Sequence, residues 1–307
     1  ISYITFRALM AMLTSFLIGL IFGKQLIKII FQLNFRDKTR SYGDISSKNK
    51  DGTPTMGGLI IFISFLVSVI IWGNLDSFFI HTILFAAFWF TGLGFIDDYL
   101  KSVRGSSDAG LSRSLKLFFQ ALFGIILAIL VLSPASTPFP AKIVSVLFAP
   151  FIKNPIIDLS IFYYLFIVLA IIGISNAINF ADGLDGLATV PTSFVAAVYA
   201  IFAYILGNSK IAAYLLFPYI KGSEELTIAL AALIGALAAF LWYNTYPAEV
   251  FMGDTGSLFL GGVIATSAIL LKKELLFIIA GGVFVIEFLS VFIQDFIGIK
   301  LLKRRIF

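Results

Sequence analysis

Residues 78–98 read FFIHTILFAAFWFTGLGFIDD, and this stretch decides the fold class. Before two adjacent aspartates, Asp97 and Asp98, it holds one ionisable side chain, His81. A run of about 20 mainly apolar residues is long enough to cross the hydrocarbon core of a bilayer as an α-helix. The stretch therefore predicts a transmembrane helix whose end brings two carboxylates to the membrane boundary.

Similar runs recur along the chain, in which 60% of the 307 residues are hydrophobic and 13% are charged. Soluble globular proteins have about 25% charged residues. Segments 141–152 and 211–220 are too short to span and predict interfacial or hairpin structure. Nine spans are predicted, at 6–32, 55–74, 78–96, 117–133, 161–178, 192–206, 226–243, 257–271 and 275–296. The predicted fold class is all-α, with residues 1–307 forming one polytopic integral membrane domain.

The basic residues predict the orientation, since loops rich in lysine and arginine stay in the cytoplasm. Of the 22 basic residues, 15 fall at the odd-numbered junctions or the end of the chain and 7 on the other side. The amino terminus is therefore expected outside. The chain begins within its first apolar run without a small-residue cleavage signature, so we expect a retained span and not a signal peptide.

Composition also limits the chemistry. The chain has no cysteine and one histidine, which excludes disulfides, thiolate metal sites and zinc sites with several imidazoles. Any metal must be held by oxygen. The net charge of +5 is attributed to topology, and no basic-aromatic surface predicts a nucleic-acid partner.

Carboxylates gather at junctions on one predicted side. Asp97 and Asp98 end the third span, Asp182 and Asp185 lie in residues 176–186 (NAINFADGLDG), Asp254 lies in residues 244–257 (NTYPAEVFMGDTGS), and Glu287 lies inside the last span. Loops 177–190 and 244–257 contain no lysine or arginine. Like charges held close together recruit a cation, and oxygen ligands suit magnesium. The alternative for Asp97 and Asp98 alone is a solvated helix end, whereas an ionisable Glu287 within a span indicates function.

Two glycine-rich stretches begin apolar helices. In residues 253–257, GDTGS, either Thr255 or Ser257 caps the helix, or the free backbone amides bind a phosphate. Gly253 would let the backbone approach a ligand. In residues 50–58, KDGTPTMGG, an ammonium, a hydroxyl and bare amides together suit a diphosphate. Phe251, beside the first stretch, could stack on a nucleobase.

In sequence order and almost from end to end, these motifs resemble those of the polyprenyl-phosphate N-acetylhexosamine-1-phosphate transferases. The Asp97–Asp98 pair and residues 179–186 resemble motifs of the whole superfamily. Residues 50–58 and 244–257 resemble its muramoyl-pentapeptide branch. The resemblance implies ten helices, usually in a homodimer of the bacterial cytoplasmic membrane, with an active site facing the cytoplasm.

The resemblance also implies roles for single residues. Asp254 would bind Mg²⁺ and act in catalysis with Asp97 and Asp98, which would lie where the lipid phosphate enters. The implied substrate contacts are Lys50 and Thr55 at the phosphates, Asn176, Asn179, Asp182 and Asp185 around nucleotide and diphosphate, Phe251 under the uracil, and Gly253, Glu287 and Gln294. The family continues past residues 303–307 into a histidine-rich stretch and a tenth helix, so we expect some substrate contacts to lie outside this chain.

In the implied reaction, undecaprenyl phosphate attacks the sugar-proximal phosphorus of UDP-N-acetylmuramoyl-pentapeptide, giving lipid I and UMP for peptidoglycan synthesis. Direct transfer is expected instead of a covalent aspartyl intermediate, because a phosphate monoester with a second pKa of about 6 needs little help from a base. One alternative is a sister transferase that uses UDP-N-acetylglucosamine. Residues 50–58 disfavour it, because they resemble the muramoyl-pentapeptide branch. An ion-coupled transporter is the other, but its acids would lie near the bilayer midplane.

Overall fold

The computed structural model describes residues 3–33, 53–105, 109–150, 152, 154–183 and 186–294. Eleven helices and one short β-ribbon make up the regular structure of these residues. The helices are α1 Ile4–Gln32, α2 Gly58–Trp72, α3 Phe78–Arg104, α4 Arg113–Leu132, α5 Phe162–Phe180, α6 Thr189–Gly207, α7 Ser209–Tyr214, α8 Glu225–Asn244, α9 Gly253–Leu270, α10 Leu276–Ala280 and α11 Gly282–Phe292. The ribbon pairs β1, Val146–Leu147, with β2, Ile157–Asp158, in antiparallel register.

Seven helices within the described residues are long and apolar enough to cross a membrane: α1, α3, α4, α5, α6, α8 and α9. The predicted all-α, polytopic membrane fold is therefore confirmed. Two further predicted spans correspond to shorter apolar helices, α2 and α11. The hairpin expected around residues 141–152 includes β1, and the segment at 211–220 overlaps the short helix α7.

Two predicted boundaries were wrong for identifiable reasons. The span at 275–296 is broken at Gly281, between α10 and α11, because glycine has the low helix propensity that permits such breaks and Gly282 follows it directly. Conversely, α3 continues past residue 96 to Arg104, because no helix breaker follows the aspartates until Gly105, whose φ of +64° ends the helix. Asp97 and Asp98 thus lie inside a helix and not at its end.

Helix α9 lies in the centre of the bundle. Every residue from Thr255 to Leu270 is buried, and α2, α3 and α5 pack against it. Small residues permit this close packing: a Cβ on Gly94 of α3 would lie 2.1 Å from the Asp254 carbonyl oxygen. The start of α9 is thereby held directly against α3. We call the two ends of the bundle the Asp254 end and the Lys272 end, after the residues that begin and follow α9.

Candidate active site at the start of α9

Three aspartates from two helices converge at the Asp254 end. Asp97 and Asp98 lie on α3, Asp254 lies on α9, and one carboxylate oxygen of each is within 4.8 Å of the others. The side chains of Asp97, Asp98 and Asp254 are 0%, 3% and 17% exposed. The solvated helix end considered for Asp97 and Asp98 is therefore wrong.

Asp98 caps α9 from a neighbouring helix. Its Oδ1 accepts from the Asp254 backbone N–H at 3.1 Å, and its Oδ2 accepts from the Thr255 N–H at 2.8 Å and the Thr255 hydroxyl at 2.6 Å. A carboxylate is favourable there because the first N–H groups of a helix lack partners within it and carry partial positive charge.

This arrangement corrects both predictions for residues 253–257. Thr255 donates to Asp98, and the Ser257 hydroxyl donates to the Gly253 carbonyl at 3.0 Å, so neither caps the helix. The amides of Asp254 and Thr255 are taken by Asp98 and do not form an open phosphate site. Gly253 has a φ of +72°, and a Cβ there would lie 2.6 Å from the Asp98 carboxylate, so glycine lets Asp98 reach the helix start.

Two lysines join Asp97 to Asp254. The Nζ of Lys101 lies 2.6 Å from Asp97 Oδ2 and 3.0 Å from Asp254 Oδ2. The Nζ of Lys116, on α4, lies 2.9 Å from Asp97 Oδ2 and 2.6 Å from Asp254 Oδ2. Two ammonium groups thus balance two carboxylates that face each other at short range.

These lysines are the site residues that the sequence prediction missed. They counted there only as loop charges, and Asp254 has no basic residue close to it in sequence. For Lys101 a signal exists, because a residue four positions after Asp97 shares its helix face. For Lys116 no local signal exists, since only the packing of α4 brings it to Asp254.

Asn179 of α5 holds the other oxygen of Asp254. Its Nδ2 donates to Asp254 Oδ1 at 3.0 Å and to the Ser257 hydroxyl at 2.7 Å. Asp182 follows one turn later at the same end of the molecule and is partly buried. Asn176, one turn earlier, donates instead to Gln120 Oε1 and to the Ile172 carbonyl, each at 2.8 Å.

The second glycine-rich stretch packs against the loop before Asp254. The amides of Gly57 and Gly58 donate to the carbonyls of Phe251 and Met252 at 2.8 and 2.9 Å, so the expectation of bare amides is wrong for these two residues. Thr55 lies nearby: a Cβ on Gly253 would come within 2.9 Å of its hydroxyl oxygen. The predicted contacts Lys50 and Asp185 lie outside the described residues.

Glu287 and Gln294 belong to the last part of the described chain. Glu287 is partly buried on α11. Its backbone carbonyl accepts from the Ser290 hydroxyl at 2.8 Å. Gln294 follows the end of α11 and is also partly buried.

The aspartate cluster has the donor set of a hard divalent cation. All three side chains offer carboxylate oxygens, which magnesium and calcium prefer. Asp254 is the most exposed of the three, so a cation arriving from water would reach it first. The Oδ2 atoms of all three aspartates already have two donors each. The Oδ1 atoms accept one hydrogen bond each, from Asn179 at Asp254, from the Asp254 amide at Asp98 and from the Leu111 amide at Asp97, so each Oδ1 retains a lone pair for a metal. The residues present therefore fit a metal held chiefly by Asp254.

Comparison with known proteins places the chain in a family. The model of glycosyl transferase family 4 matches residues 79–272. A phospho-N-acetylmuramoyl-pentapeptide-transferase of Leptospira biflexa serovar Patoc is 45% identical over 313 residues, covering 100% of this chain and 84% of that protein. The chain belongs to the phospho-N-acetylmuramoyl-pentapeptide-transferase family.

Further matches agree with this membership. A phospho-N-acetylmuramoyl-pentapeptide-transferase of Vesicomyosocius okutanii is 44% identical over 310 residues, covering 100% of this chain and 84% of that protein. Signature 1 of the phospho-N-acetylmuramoyl-pentapeptide-transferase family matches residues 50–62. This signature includes Gly57 and Gly58, whose amides bind the loop just before Asp254. The family signature thus lies next to the aspartate cluster.

Proposed function

We propose that this protein transfers phospho-N-acetylmuramoyl-pentapeptide from its UDP-linked donor to undecaprenyl phosphate, forming lipid I and UMP. One observation carries the proposal: Asp97, Asp98, Asp254, Lys101 and Lys116 form a compact ionic cluster in a member of the phospho-N-acetylmuramoyl-pentapeptide-transferase family. The donor diphosphate and the acceptor phosphate are both anionic. A site for their reaction needs cationic groups at fixed positions, because phosphoryl transfer depends mainly on positioning and electrostatics.

In the proposed reaction, an oxygen of the lipid phosphate forms a bond to the sugar-proximal phosphorus of the donor. The bond from that phosphorus to the bridging oxygen breaks, and UMP leaves with the electron pair. Lys101 and Lys116 are 25% and 21% exposed, so their ammonium groups can reach phosphate oxygens while their stems remain packed. Asp98 keeps α9 fixed while the reacting groups move, because it binds two of the first amides of that helix.

Mg²⁺ is the proposed cofactor, with Asp254 as its ligand and Asp97 and Asp98 beside it. When bound, magnesium would supply positive charge to the phosphate oxygens. Since the lipid phosphate is already mostly ionised at neutral pH, Asp97 has little need to act as a base. Its contact with the Leu111 amide at 2.7 Å and with both lysines supports a positioning role. We therefore favour direct transfer without an aspartyl intermediate.

The remaining assignments follow from family membership. We propose one catalytic domain in the bacterial cytoplasmic membrane, with the Asp254 end facing the cytoplasm, and a homodimer as the assembled form. Phe251 would stack on the uracil beside Gly253. The other proposed substrate contacts are Lys50, Thr55, Asn179, Asp182, Asp185, Glu287 and Gln294.

UMP release from two donors tests the proposed function. Purified protein is mixed with undecaprenyl phosphate, Mg²⁺ and either UDP-N-acetylmuramoyl-pentapeptide or UDP-N-acetylglucosamine. We expect release from the first donor, none from the second, and none from either after EDTA. Release from UDP-N-acetylglucosamine would instead identify a sister transferase. Release from neither donor would overturn the proposal and leave an ion-coupled transporter as the alternative.

A further inference from the structure

A buried pair of carboxamides connects α4 and α5 just behind the aspartate cluster. Gln120 of α4 is fully buried, and its Oε1 accepts from Asn176 Nδ2 at 2.8 Å. The same nitrogen donates to the Ile172 carbonyl at 2.8 Å, which fixes the Asn176 side chain against its own helix. The pair therefore links two helices at one defined point.

Each member of the pair stands one helical turn from a side chain that binds Asp254. Gln120 is four residues after Lys116 on α4, and Asn176 is three residues before Asn179 on α5, so each pair shares a helix face. Lys116 lies 2.6 Å from one oxygen of Asp254, and Asn179 lies 3.0 Å from the other. The relative position of α4 and α5 thus decides whether both side chains reach Asp254 together.

The packing beyond the pair continues the same contact row. Gly124 is one turn after Gln120, and a Cβ there would lie 2.9 Å from Val168 Cα on α5. Gly124 of α4 therefore faces Val168 of α5, and Gln120, one turn earlier, faces Asn176. Gly124 lets α4 and α5 approach closely at one turn. The hydrogen bond between Gln120 and Asn176 then fixes the position of α4 along α5 at the next turn.

Gln120 also has a free-energy cost at this position. Among the described residues, its buried Nε2 has no hydrogen-bond partner. A buried donor without an acceptor destabilises the folded state, and an apolar side chain would avoid that loss. Buried polar groups without partners occur mainly where function requires them. The function of Gln120 is therefore expected to lie in its side-chain oxygen, which binds Asn176.

We propose that Gln120 is a positioning residue: by accepting from Asn176 it holds α4 so that Lys116 reaches Asp254 Oδ2, while α5, packed directly on α9 at Gly261 and Ser175, keeps Asn179 on Oδ1. This rests on the proposed function, because its kinetic effect is read in the transfer reaction. Asn176 thereby acts through its neighbours and not by donating its Nδ2 to substrate. Gln120 is predicted to act through Lys116, so its loss should matter only while Lys116 is present.

A double-mutant cycle tests this prediction. We expect Gln120→Leu to lower kcat by about 10- to 100-fold in the wild-type background, because small displacements of catalytic groups have effects of this size. In a Lys116→Met background, the same change should lower kcat less than about 2-fold, since no ammonium remains to be displaced. Thr266→Val is the matched control: Thr266 is fully buried on α9 and its hydroxyl also has no described partner. It should leave kcat unchanged.

A chemical readout tests the contact without catalysis. Acetylation of single lysines by acetic anhydride, followed by mass spectrometry, should be several-fold faster at Lys116 in Gln120→Leu than in the wild type. Lys210 is the internal control, because it is an exposed lysine on α7 and makes none of the Asp97 or Asp254 contacts described for Lys116, so its rate should stay unchanged. The double swap Gln120→Asn with Asn176→Gln, which moves one methylene across the contact, should recover kcat relative to Gln120→Asn alone.

Equal losses of kcat in both backgrounds, or an unchanged Lys116 acetylation rate, would overturn the positioning role. A wild-type protein that releases no UMP would instead overturn the proposed function, while the acetylation rates still decide the contact. Elution in detergent and Tm identify a misfolded Gln120→Leu protein. In that case the double swap Gln120→Asn with Asn176→Gln is the deciding variant. If it fails to recover kcat relative to Gln120→Asn alone, the proposal is contradicted.

Discussion

Two groups of buried charged side chains lie at opposite ends of α9. At the Asp254 end, α3, α4 and α9 contribute residues that are far apart in sequence. At the Lys272 end, the three consecutive residues Lys272, Lys273 and Glu274 are 0%, 6% and 4% exposed. The Nζ of Lys272 donates to the Val144 carbonyl at 2.7 Å and lies 3.8 Å from the centre of the Tyr163 ring.

The comparison teaches that burial of charge alone does not indicate a reactive site. The Lys272 end is enclosed: Lys273 Nζ lies 4.5 Å from the Phe217 ring centre, and Glu274 accepts from the Tyr163 hydroxyl. Cation–π contacts of this kind stabilise an ammonium without water. At the Asp254 end, by contrast, both lysines and Asp254 retain an exposed edge. Only that end can exchange its partners for those of a ligand.

The largest expected effect is that of Asp254→Asn. We expect transfer to fall at least about 1000-fold, because the change removes the proposed metal ligand and the charge that holds both lysines. The protein should remain folded, since asparagine retains the shape of the side chain and both lysines keep Asp97 as a partner. Rates of UMP release and thermal unfolding in detergent check this. Wild-type turnover in Asp254→Asn would show that the Asp254 end is not the site of the reaction.

Lys116→Met should have the next largest effect on transfer. We expect kcat to fall by about 100-fold, the usual loss when one fixed electrostatic group is removed from an active site. Lys210→Met serves as the matched control, because Lys210 is an exposed lysine on α7. Steady-state kinetics with UDP-N-acetylmuramoyl-pentapeptide measure both variants. If Lys116→Met and Lys210→Met lower kcat to the same extent, Lys116 contributes only to the net charge of the protein and has no specific role in transfer.

Glu274→Gln should produce the opposite pattern, with lower stability and nearly unchanged chemistry. Burial raises the pKa of Glu274, against the opposing charges of Lys272 and Lys273, and glutamine keeps the bond to Tyr163 but removes the negative charge beside these two buried lysines. We expect a loss of about 1–3 kcal/mol in the free energy of unfolding. The kcat of the folded protein should remain within about 2-fold of wild type. A large loss of kcat without a change in Tm would mean that the Lys272 end takes part in the reaction.

The smallest expected effect is a pH dependence at the Lys272 end. Burial lowers the pKa of Lys272 from its ordinary value of 10.5 to about 8, against the opposing charges of Glu274 and Asp158. Between these two values the unfolded chain binds more protons at this residue than the folded protein. The contribution of Lys272 to stability therefore rises with pH in that window. The Tm of wild type relative to Lys272→Met should increase from pH 7.5 to 9.5, and a decrease would contradict the assigned shift.

Hydropathy predicted most of the fold, because each membrane helix is a local property of its own residues. The apolar run at 78–96 is enough to place α3 in a membrane, whatever lies elsewhere in the chain. The break at Gly281 and the extension of α3 to Arg104 were missed, since apolar length says little about where a helix stops. Such ends depend on single residues such as Gly105.

The candidate site could be predicted in part. A glycine-rich loop without lysine or arginine identified Asp254 as a candidate, and two adjacent acids at the end of an apolar run identified Asp97 and Asp98. Lys116 and the cap supplied by Asp98 could not be predicted, because both depend on which helices become neighbours of α9. Thr255 and Ser257 fit the sequence rule for caps, but that rule considers one helix at a time and a carboxylate from α3 took the position instead.

The most direct test of the account is whether a divalent cation binds at Asp254. Mn²⁺ can replace Mg²⁺ as an oxygen-ligated ion, and electron paramagnetic resonance measures its free concentration. We predict that the wild-type protein and Glu274→Gln bind Mn²⁺ with the same affinity and that Asp254→Asn binds it at least about 10-fold more weakly. Equal Mn²⁺ affinity in Asp254→Asn and the wild type would contradict a metal centre at the start of α9.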